Sequence, residues 1–201
     1  MYDSNDKDVI TRLNDNEQKS VMLTFDDGPA RALPAILDIL RSEEVQAVFF
    51  WQTRLLHSSR PWKRVLDEGH LVGSHSTKHR NLTRLSFEEQ LADLSSSKRI
   101  ISEITGQDVK YFRPPFGQYN NDTISAASVL GMETMMWRIA SMDWETADNP
   151  GQIIKYVTDH LENKAIILLH ELPQTVQILP ELIREIKQRG FQFRLPDSFK
   201  A

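Results

Sequence analysis

The amino-acid sequence predicts an α/β fold built on a mainly parallel β-sheet, and three observations carry this prediction. Short apolar runs of strand length alternate with longer helical patterns along the chain. Several strand runs are apolar on both faces, which is typical of a sheet covered by helices. Glycines follow the predicted helices, where a left-handed residue closes the last turn. This alternation does not distinguish an open sheet from a barrel.

The predicted strands are short runs of apolar and β-branched or aromatic residues. In chain order they are Val21–Phe25, Ala47–Trp51, Leu71–Ser74, Tyr111–Arg113, Glu133–Trp137, Ala165–Leu169 and Phe191–Arg194, with one further short strand over Val9–Leu13.

The predicted helices lie between these strands, and local signals mark their ends. In chain order they are Leu33–Ser42, Trp62–Glu68, Ser86–Thr105, Asp122–Leu130, Pro150–Leu161 and Thr175–Arg189. Ser86 and Glu89 have the spacing of a capping box. Asn149 before Pro150 predicts a helix cap followed by proline at the first helical position. The glycines that follow helices are Gly69, Gly106, Gly131 and Gly190.

Length and composition restrict the class of protein. The 201 residues are 40% hydrophobic and 26% charged, which is typical of a globular chain rather than a disordered or fibrous one. We expect one main domain over residues 21–201, preceded by a polar N-terminal extension over residues 1–20. Because the chain has no cysteine, any metal must be held by histidine or carboxylate side chains.

Charge and hydropathy also limit the partners. A net charge of −4 offers no basic surface, so we expect no nucleic acid partner. No apolar run approaches the ~20 residues of a membrane span, and the N-terminus lacks the apolar core of a signal peptide. The sequence leaves the compartment open between the cytoplasm and an extracellular site. We expect a monomer.

Polar side chains that could act in catalysis or metal binding follow the predicted strands at their carboxyl ends. Asp26 and Asp27 follow one strand, His75 and His79 follow another, and His170 follows a third. Arg113 and Asp143 occupy comparable positions. Active sites of parallel α/β folds are built at that edge, so this placement predicts a single site.

Asp27, His75 and His79 have the composition of a catalytic metal site. The two histidines are separated by four positions, which would place both on one side of a helical turn. One carboxylate and two imidazoles make a three-ligand site with an open position for water or substrate. Taken singly, the Asp-Gly pair has an ordinary explanation as a turn, and each histidine as a core or surface residue.

The motifs together resemble a known family. The order TFDDGP, HSTKH, RPPFG, MDW and LLH, from Val21 to Leu195, is similar to the polysaccharide deacetylases with the NodB homology domain, carbohydrate esterase family 4. The resemblance implies a distorted, incomplete (β/α) barrel of about seven parallel strands, similar to a TIM barrel. It also implies removal of N-acetyl groups from N-acetylglucosamine-containing glycans, such as peptidoglycan or chitin-type oligomers.

Residue roles follow from the same resemblance. Asp27, His75 and His79 would bind one divalent metal ion, with zinc expected first and cobalt or another divalent ion as alternatives. Asp26 would be the catalytic base, Arg113 would orient it, His170 would be the acid and Asp143 would tune His170. The expected substrate contacts are the Phe116 backbone N–H at the oxyanion, and Trp144 and Leu168 at the acetyl methyl group.

The sequence departs from the family pattern at several positions. Ala140 stands where an acid is common, Glu171 where aspartate is common, and Phe50–Arg54 is bulkier and more polar than expected and would reshape the substrate groove. Three alternatives remain open. They are an amidohydrolase of the same fold that acts on a small amide, a non-catalytic glycan-binding domain, and an Fe(II) oxygenase with a two-histidine, one-carboxylate triad.

Overall fold

A curled half-barrel of parallel strands with helices packed against it forms the fold. The computed structural model describes residues 1–14, 18–57 and 59–196. The predicted domain and extension include residues 15–17, 58 and 197–201, which lie outside the described residues.

The prediction of an incomplete barrel is confirmed, with eight strands on the sheet path where about seven were expected.

The strands of the described residues are β1 (Val9–Ile10), β2 (Ser20–Gly28), β3 (Ala47–Trp51), β4 (Leu71–Ser74), β5 (Tyr111–Phe112), β6 (Glu133–Met135), β7 (Ile139–Ala140), β8 (Ile166–His170) and β9 (Gln192–Phe193). Their order across the sheet is β1-β6-β5-β4-β3-β2-β8-β7, and β9 pairs with β2. Every pairing between these strands is parallel. All carboxyl ends therefore meet at one edge.

The α-helices are α1 (Leu33–Ser42), α2 (Trp62–Asp67), α3 (Phe87–Thr105), α4 (Asn121–Val129), α5 (Gly151–Thr158) and α6 (Pro173–Gln188). Ser86 and Glu89 form the predicted capping box of α3. The glycines expected to close helices all have positive φ: Gly69, Gly106, Gly131 and Gly190. The predicted Asn149 cap was wrong, because Pro150 is the N-cap of α5 and Asn149 accepts through its main-chain oxygen from Gln152 N–H.

Two apolar clusters lie on opposite faces of the sheet, because successive strand residues point to opposite sides. The larger cluster joins strands to helices, with Leu23, Phe25 and Phe49 among its members. The smaller cluster fills the inside of the curl. Its buried members are Leu13, Met22, Val48, Phe50, Tyr111, Met135 and Ile166.

The N-terminal segment crosses the open side of the half-barrel. Its strand β1 pairs with β6, and three residues later the Leu13 N–H donates to Lys164 O, just before β8. Arg12 forms an antiparallel bridge with Ala165, and Leu13 is buried in the inner cluster. Part of the polar extension therefore contributes to the core. Within the described residues, no helix combines the length and apolar character required to span a bilayer.

Candidate active site

The predicted site residues converge at the carboxyl edge of the sheet. Asp26 and Asp27 lie near the carboxyl end of β2, since this strand extends to Gly28 rather than ending at Phe25. His75 follows β4, Arg113 follows β5, and His170 is the last residue of β8. A cavity of about 420 Å³ opens among them. It is lined by Asp26, Asp27, His75, His79, Phe116, Gly117, Trp137, Trp144, Leu168, His170 and Leu172.

Asp27, His75 and His79 point their ligand atoms at one another. All three atoms lie within 4.8 Å of each other. Asp27 Oδ1 is 3.6 Å from His75 Nε2 and 3.2 Å from His79 Nε2. His75 Nδ1 lies 2.7 Å from the Arg113 carbonyl oxygen, so this nitrogen donates and Nε2 is left with a free lone pair. This donor set fits a divalent metal that accepts nitrogen and oxygen ligands.

The histidine segment is an irregular loop, so the expectation of one helical turn was wrong. Ser76 and His79 have positive φ, 66° and 55°, which interrupts any helix. The loop is held by the buried Asp93 of α3, which accepts from Thr77 N–H at 2.8 Å and from Arg80. The imidazole rings of His75 and His79 still lie together, with centroids 4.9 Å apart.

Strained backbone is concentrated around this cavity. Non-glycine residues with positive φ include Asp27, Ser76, His79, Phe116 and Met142, all in the strand-end segments of the site. Such conformations cost of order 1–3 kcal/mol each and persist only when the surroundings hold them. The site is therefore positioned by its supporting contacts and not by local backbone preference.

Asp26 is paired with a fully buried arginine. Arg113 Nη1 donates to Asp26 Oδ1 at 2.8 Å and to Thr24 Oγ1 at 2.7 Å. Its remaining donors reach the carbonyl oxygens of Met135 and Met136, and its guanidinium lies 4.2 Å from the Phe50 ring centroid. Both charges are buried, and because each has partners the ion pair is satisfied.

His170 is held by Asp143 on the other side of the cavity. Its Nδ1 lies 2.7 Å from Asp143 Oδ1, and its main-chain N–H donates to Oδ2 at 2.6 Å. Thr175 Oγ1 also donates to Oδ2. Burial lowers the pKa of His170, but the hydrogen bond to Asp143 and the nearby carboxylate charges outweigh burial and raise this pKa above 6.5 overall. Nε2 is thereby directed away from Asp143.

His79 shows the opposite shift. Burial and the neighbouring His75 together lower the pKa of His79 below its ordinary value, despite the nearby aspartates. A neutral imidazole is the form that binds a metal ion.

The predicted substrate contacts are divided between exposed and buried positions. The Phe116 ring is exposed and stands edge-on to His79, 4.4 Å between centroids. The Trp144 ring stands edge-on to His170 at 5.2 Å and is 43% exposed. Leu168 is buried at the cavity wall. The structure therefore brings these three side chains to the same cavity.

Glu171 has a clear structural place. Its Oε1 accepts from Trp51 Nε1 at 3.0 Å and its Oε2 from Ala30 N–H at 2.6 Å, which ties the end of β2 to β3. Burial raises the pKa of Glu171 to about 7, against these two hydrogen bonds. Gly28 is required here, because a Cβ atom at this position would lie 1.8 Å from Glu171 Oε1. At another departure from the family pattern, Ala140 of β7 pairs with Leu168 of β8.

Sequence reasoning missed three residues at this site. Trp137 lines the cavity and packs against Gly117, whereas the sequence predicted only that it ends the strand Glu133–Trp137. Leu172 lines the cavity as well. Gln52 donates to Asp27 Oδ1 at 2.6 Å. The only sequence signal for Gln52 was the unusual polarity of the segment after β3.

Comparison with known proteins gives a consistent set of similarities. A family model described as "Polysaccharide deacetylase" matches residues 13–135. The chain is 32% identical over 194 residues to peptidoglycan-N-acetylmuramic acid deacetylase PdaA of Bacillus subtilis, covering 92% of this chain and 73% of PdaA. It is also 32% identical over 178 residues to peptidoglycan-N-acetylglucosamine deacetylase PgdA of Listeria monocytogenes, covering 87% of this chain but 37% of PgdA.

Solved structures with the same fold include one without activity. Wild-type BA3943 of Bacillus anthracis, described as a CE4 family pseudoenzyme, superposes with a TM-score of 0.86 at 30% identity, covering 92% of this chain and 66% of that chain. A BA3943 mutant described as having restored enzymatic activity also gives a TM-score of 0.86, at 32% identity, covering 92% and 68%. Fold similarity alone therefore does not establish activity, and the side chains of the cavity must be considered.

Proposed function

Because this chain belongs to the polysaccharide deacetylase family, we propose that it is a metal-dependent hydrolase that removes N-acetyl groups from N-acetylglucosamine-containing glycans. One observation carries the proposal. The Asp27–His75–His79 cluster lies in a single cavity between a carboxylate, Asp26, and an imidazole, His170, whose environments differ. A base and an acid that are different residues, one on either side of a metal site, suit hydrolysis of an amide.

An acetamide is a poor electrophile and its amine is a poor leaving group, so both ends of the bond need assistance. Asp27, His75 and His79 would hold the metal, zinc first and cobalt or another divalent ion as alternatives. When bound, such a metal polarises a carbonyl group and lowers the pKa of water toward ~7. The remaining chemistry falls to side chains of this chain.

Asp26 would accept the proton of the attacking water. Its support is the buried Arg113, which occupies Oδ1 and leaves Oδ2 directed toward the metal cluster, 3.8 Å from His75 Nε2. Arg113 would act as a positioning residue, since it contacts Asp26 rather than the substrate. General base catalysis of this kind typically contributes about 10²–10⁴-fold in rate.

His170 would then protonate the departing nitrogen through Nε2. Asp143 fixes the tautomer by engaging Nδ1 and favours the charged imidazolium. The Phe116 N–H would help to bind the oxyanion, and one such donor is typically worth about 3–4 kcal/mol. Trp144 and Leu168 would enclose the acetyl methyl group.

The substrate class rests on two kinds of support. Relatives at comparable identity are named for deacetylation of peptidoglycan N-acetylglucosamine and N-acetylmuramic acid, which favours peptidoglycan over chitin-type oligomers. A second, more open cleft of about 620 Å³ shares Gly117 with the main cavity and is lined by Tyr2, Thr83, Gln118, Tyr119 and Asn120. An adjoining polar and aromatic cleft suits a chain of sugars better than a small cyclic amide.

The domain assignment and oligomeric state complete the proposal. Residues 21–201 would carry all the proposed catalytic residues, residues 1–20 would be an extension whose strand β1 joins the same sheet, and the protein would act as a monomer. The non-catalytic alternative is represented by the BA3943 pseudoenzyme, and a glycan-binding role for this chain would require the cavity to bind sugar without turnover.

Acetate release from peptidoglycan fragments and chitooligosaccharides, with zinc or cobalt added, tests this function directly. We expect release that is abolished in His75→Ala together with metal content, while Asp122→Asn on the exposed first turn of α4 behaves as wild type. Saturable glycan binding without acetate release would favour the binding domain, and ring opening or ammonia release from small amides would favour the amidohydrolase.

A further inference from the structure

We propose that Gln52, held by Arg54, is a positioning residue for Asp27 and that this pair sets the metal affinity of the site. The proposal rests on the metal site proposed above. Its starting point is the short 3₁₀ turn Thr53–Leu55 that follows β3, together with Gln52 before it. This turn lies between the two segments that carry the cluster Asp27, His75 and His79.

Main-chain hydrogen bonds first fix the turn against both segments. The Gln52 N–H donates to Gly28 O at 2.9 Å, next to Asp27. The Thr53 and Arg54 N–H groups donate to Ser76 O and Thr77 O, at 3.3 and 3.1 Å, within the histidine loop. Three consecutive N–H groups thus join the aspartate segment to the histidine segment. The separation of Asp27 from the two imidazoles depends on this turn.

The Gln52 side chain then contacts the proposed ligand itself. Gln52 is 3% exposed, and its Nε2 donates to Asp27 Oδ1 at 2.6 Å. Oδ1 is the same oxygen that faces both imidazole Nε2 atoms. The Asp27 side chain is 41% exposed, so burial alone does not fix the orientation of its carboxylate. The amide of Gln52 therefore holds the carboxylate in the orientation that the metal needs.

Arg54 determines which way the amide of Gln52 points. Its Nε donates to Gln52 Oε1 at 2.7 Å, which leaves the amide NH₂ for Asp27. A guanidinium has donors only and a carboxylate has acceptors only, so this arrangement satisfies both ends and the reversed amide would satisfy neither. Hydrogen bonds to charged groups are about twice as strong as those between neutral groups, which rigidifies the series Arg54, Gln52, Asp27.

Metal affinity should report this contact. Groups that orient a metal ligand typically contribute roughly 10–100-fold in affinity. We expect apo Gln52→Leu to bind Co²⁺ roughly 10–100-fold more weakly than apo wild type in an absorption titration. The visible bands of bound Co²⁺ should also change, since they follow the geometry of the ligands. A merely structural glutamine would not move those bands.

The matched control is Gln90→Leu. Gln90 is another buried glutamine, and its side-chain hydrogen bonds, to Leu85 O and Asn120 Oδ1 and from Thr123 Oγ1, do not involve the cluster. The Gln90→Leu variant should keep the wild-type Co²⁺ affinity and spectrum even if it is less stable to heat. Arg54→Lys is the second variant, since Arg54 is exposed and this change keeps the charge but removes the guanidinium Nε–H. We expect it to weaken Co²⁺ binding in the same direction, by roughly 2–10-fold.

The outcomes separate the two proposals. The role of Gln52 alone is overturned if wild type binds Co²⁺, His75→Ala loses this binding, and Gln52→Leu keeps the wild-type affinity and spectrum. If Gln52→Leu does not fold, wild-type affinity in Arg54→Lys overturns it instead. Absence of Co²⁺ binding in wild type, or wild-type binding in His75→Ala, overturns the metal site itself and the role of Gln52 with it.

Discussion

Asp143 accepts two hydrogen bonds from His170, one from its main-chain N–H and one from its imidazole Nδ1. A single buried carboxylate thus fixes both the position and the tautomer of the proposed acid. It also contributes to the raised pKa of His170, against the effect of burial. This relationship leads directly to a pH dependence that can be measured.

Replacement of Asp143 by asparagine should move the alkaline limit of activity to lower pH. The raised pKa keeps His170 protonated to higher pH in the wild type. Loss of the Asp143 carboxylate removes the strongest of the influences that raise this pKa, so the pKa falls. We expect kcat for acetate release at neutral pH to fall by about 10²–10⁴-fold. Thr175→Val, which removes another bond to Asp143 without removing its charge, should keep the wild-type limit. An unchanged limit in Asp143→Asn would refute the assignment of His170 as the acid.

Replacement of Asp26 by asparagine should remove turnover while metal is retained. Asp26 is the carboxylate paired with Arg113, whereas Asp27 faces the histidines. We expect acetate release to fall by about 10²–10⁴-fold or more, with metal content by elemental analysis at the wild-type level. Activity near that of wild type would exclude Asp26 as the base, and loss of metal would make it a ligand instead.

Glu171 should make stability decrease as pH rises. Its pKa is raised from 4.5 to about 7 in the folded protein, so the native state binds this proton more tightly than the unfolded state. The stabilisation is fully present below about pH 4.5 and is lost as pH rises through about 7, with a magnitude on the order of 3 kcal/mol. Urea unfolding of wild type and Glu171→Gln across this range measures it. A constant difference between the two proteins would contradict the shift.

A methyl group at Gly28 should destabilise the site edge. The Cβ atom of Gly28→Ala would lie 1.8 Å from Glu171 Oε1 and 2.8 Å from Trp51 Cδ1. Overpacking of this kind typically costs about 1–3 kcal/mol. Gly151→Ala is the control, since the nearest atom there is 3.8 Å away and alanine favours a helix. In chemical denaturation, Gly28→Ala should have a lower free energy of unfolding than wild type and Gly151→Ala a higher one. Equal stability of the two variants would show that the strand end adapts.

Sequence patterns predicted best the strands that clear turns bound on both sides. The bounds of β3 and β4 agree with the prediction because each is a continuous run between clear turns. Strand β7, Ile139–Ala140, was not predicted, since two residues show no alternation. It forms only because β8 supplies its partner, which is a tertiary contact that sequence patterns do not reveal.

The site was predictable in residue type and less so in geometry. Acids and histidines at strand ends have a chemical signature, and the structure brings them to one cavity. The positive φ of Ser76 and His79 has no such signature, because residues with a Cβ rarely adopt it and only surrounding contacts hold it. The role of Gln52 was not predicted for a similar reason, since a glutamine side chain indicates no function until its two hydrogen-bond partners, Asp27 and Arg54, are known.

Strand β2 carries Asp26 and Asp27 and is paired on its two sides with β3 and β8. The first neighbour follows closely in the chain, but β8 is distant, and the Thr24 hydroxyl donates to Ile167 O of that strand across 143 positions. Strand pairings over such a long sequence separation slow folding, because the entropy of loop closure is lost before the stabilising contacts form. During synthesis the segments that carry Asp27, His75 and His79 are made first, and His170 can join them only after β8 has left the ribosome. Assembly of the candidate site is therefore coupled to completion of the sheet.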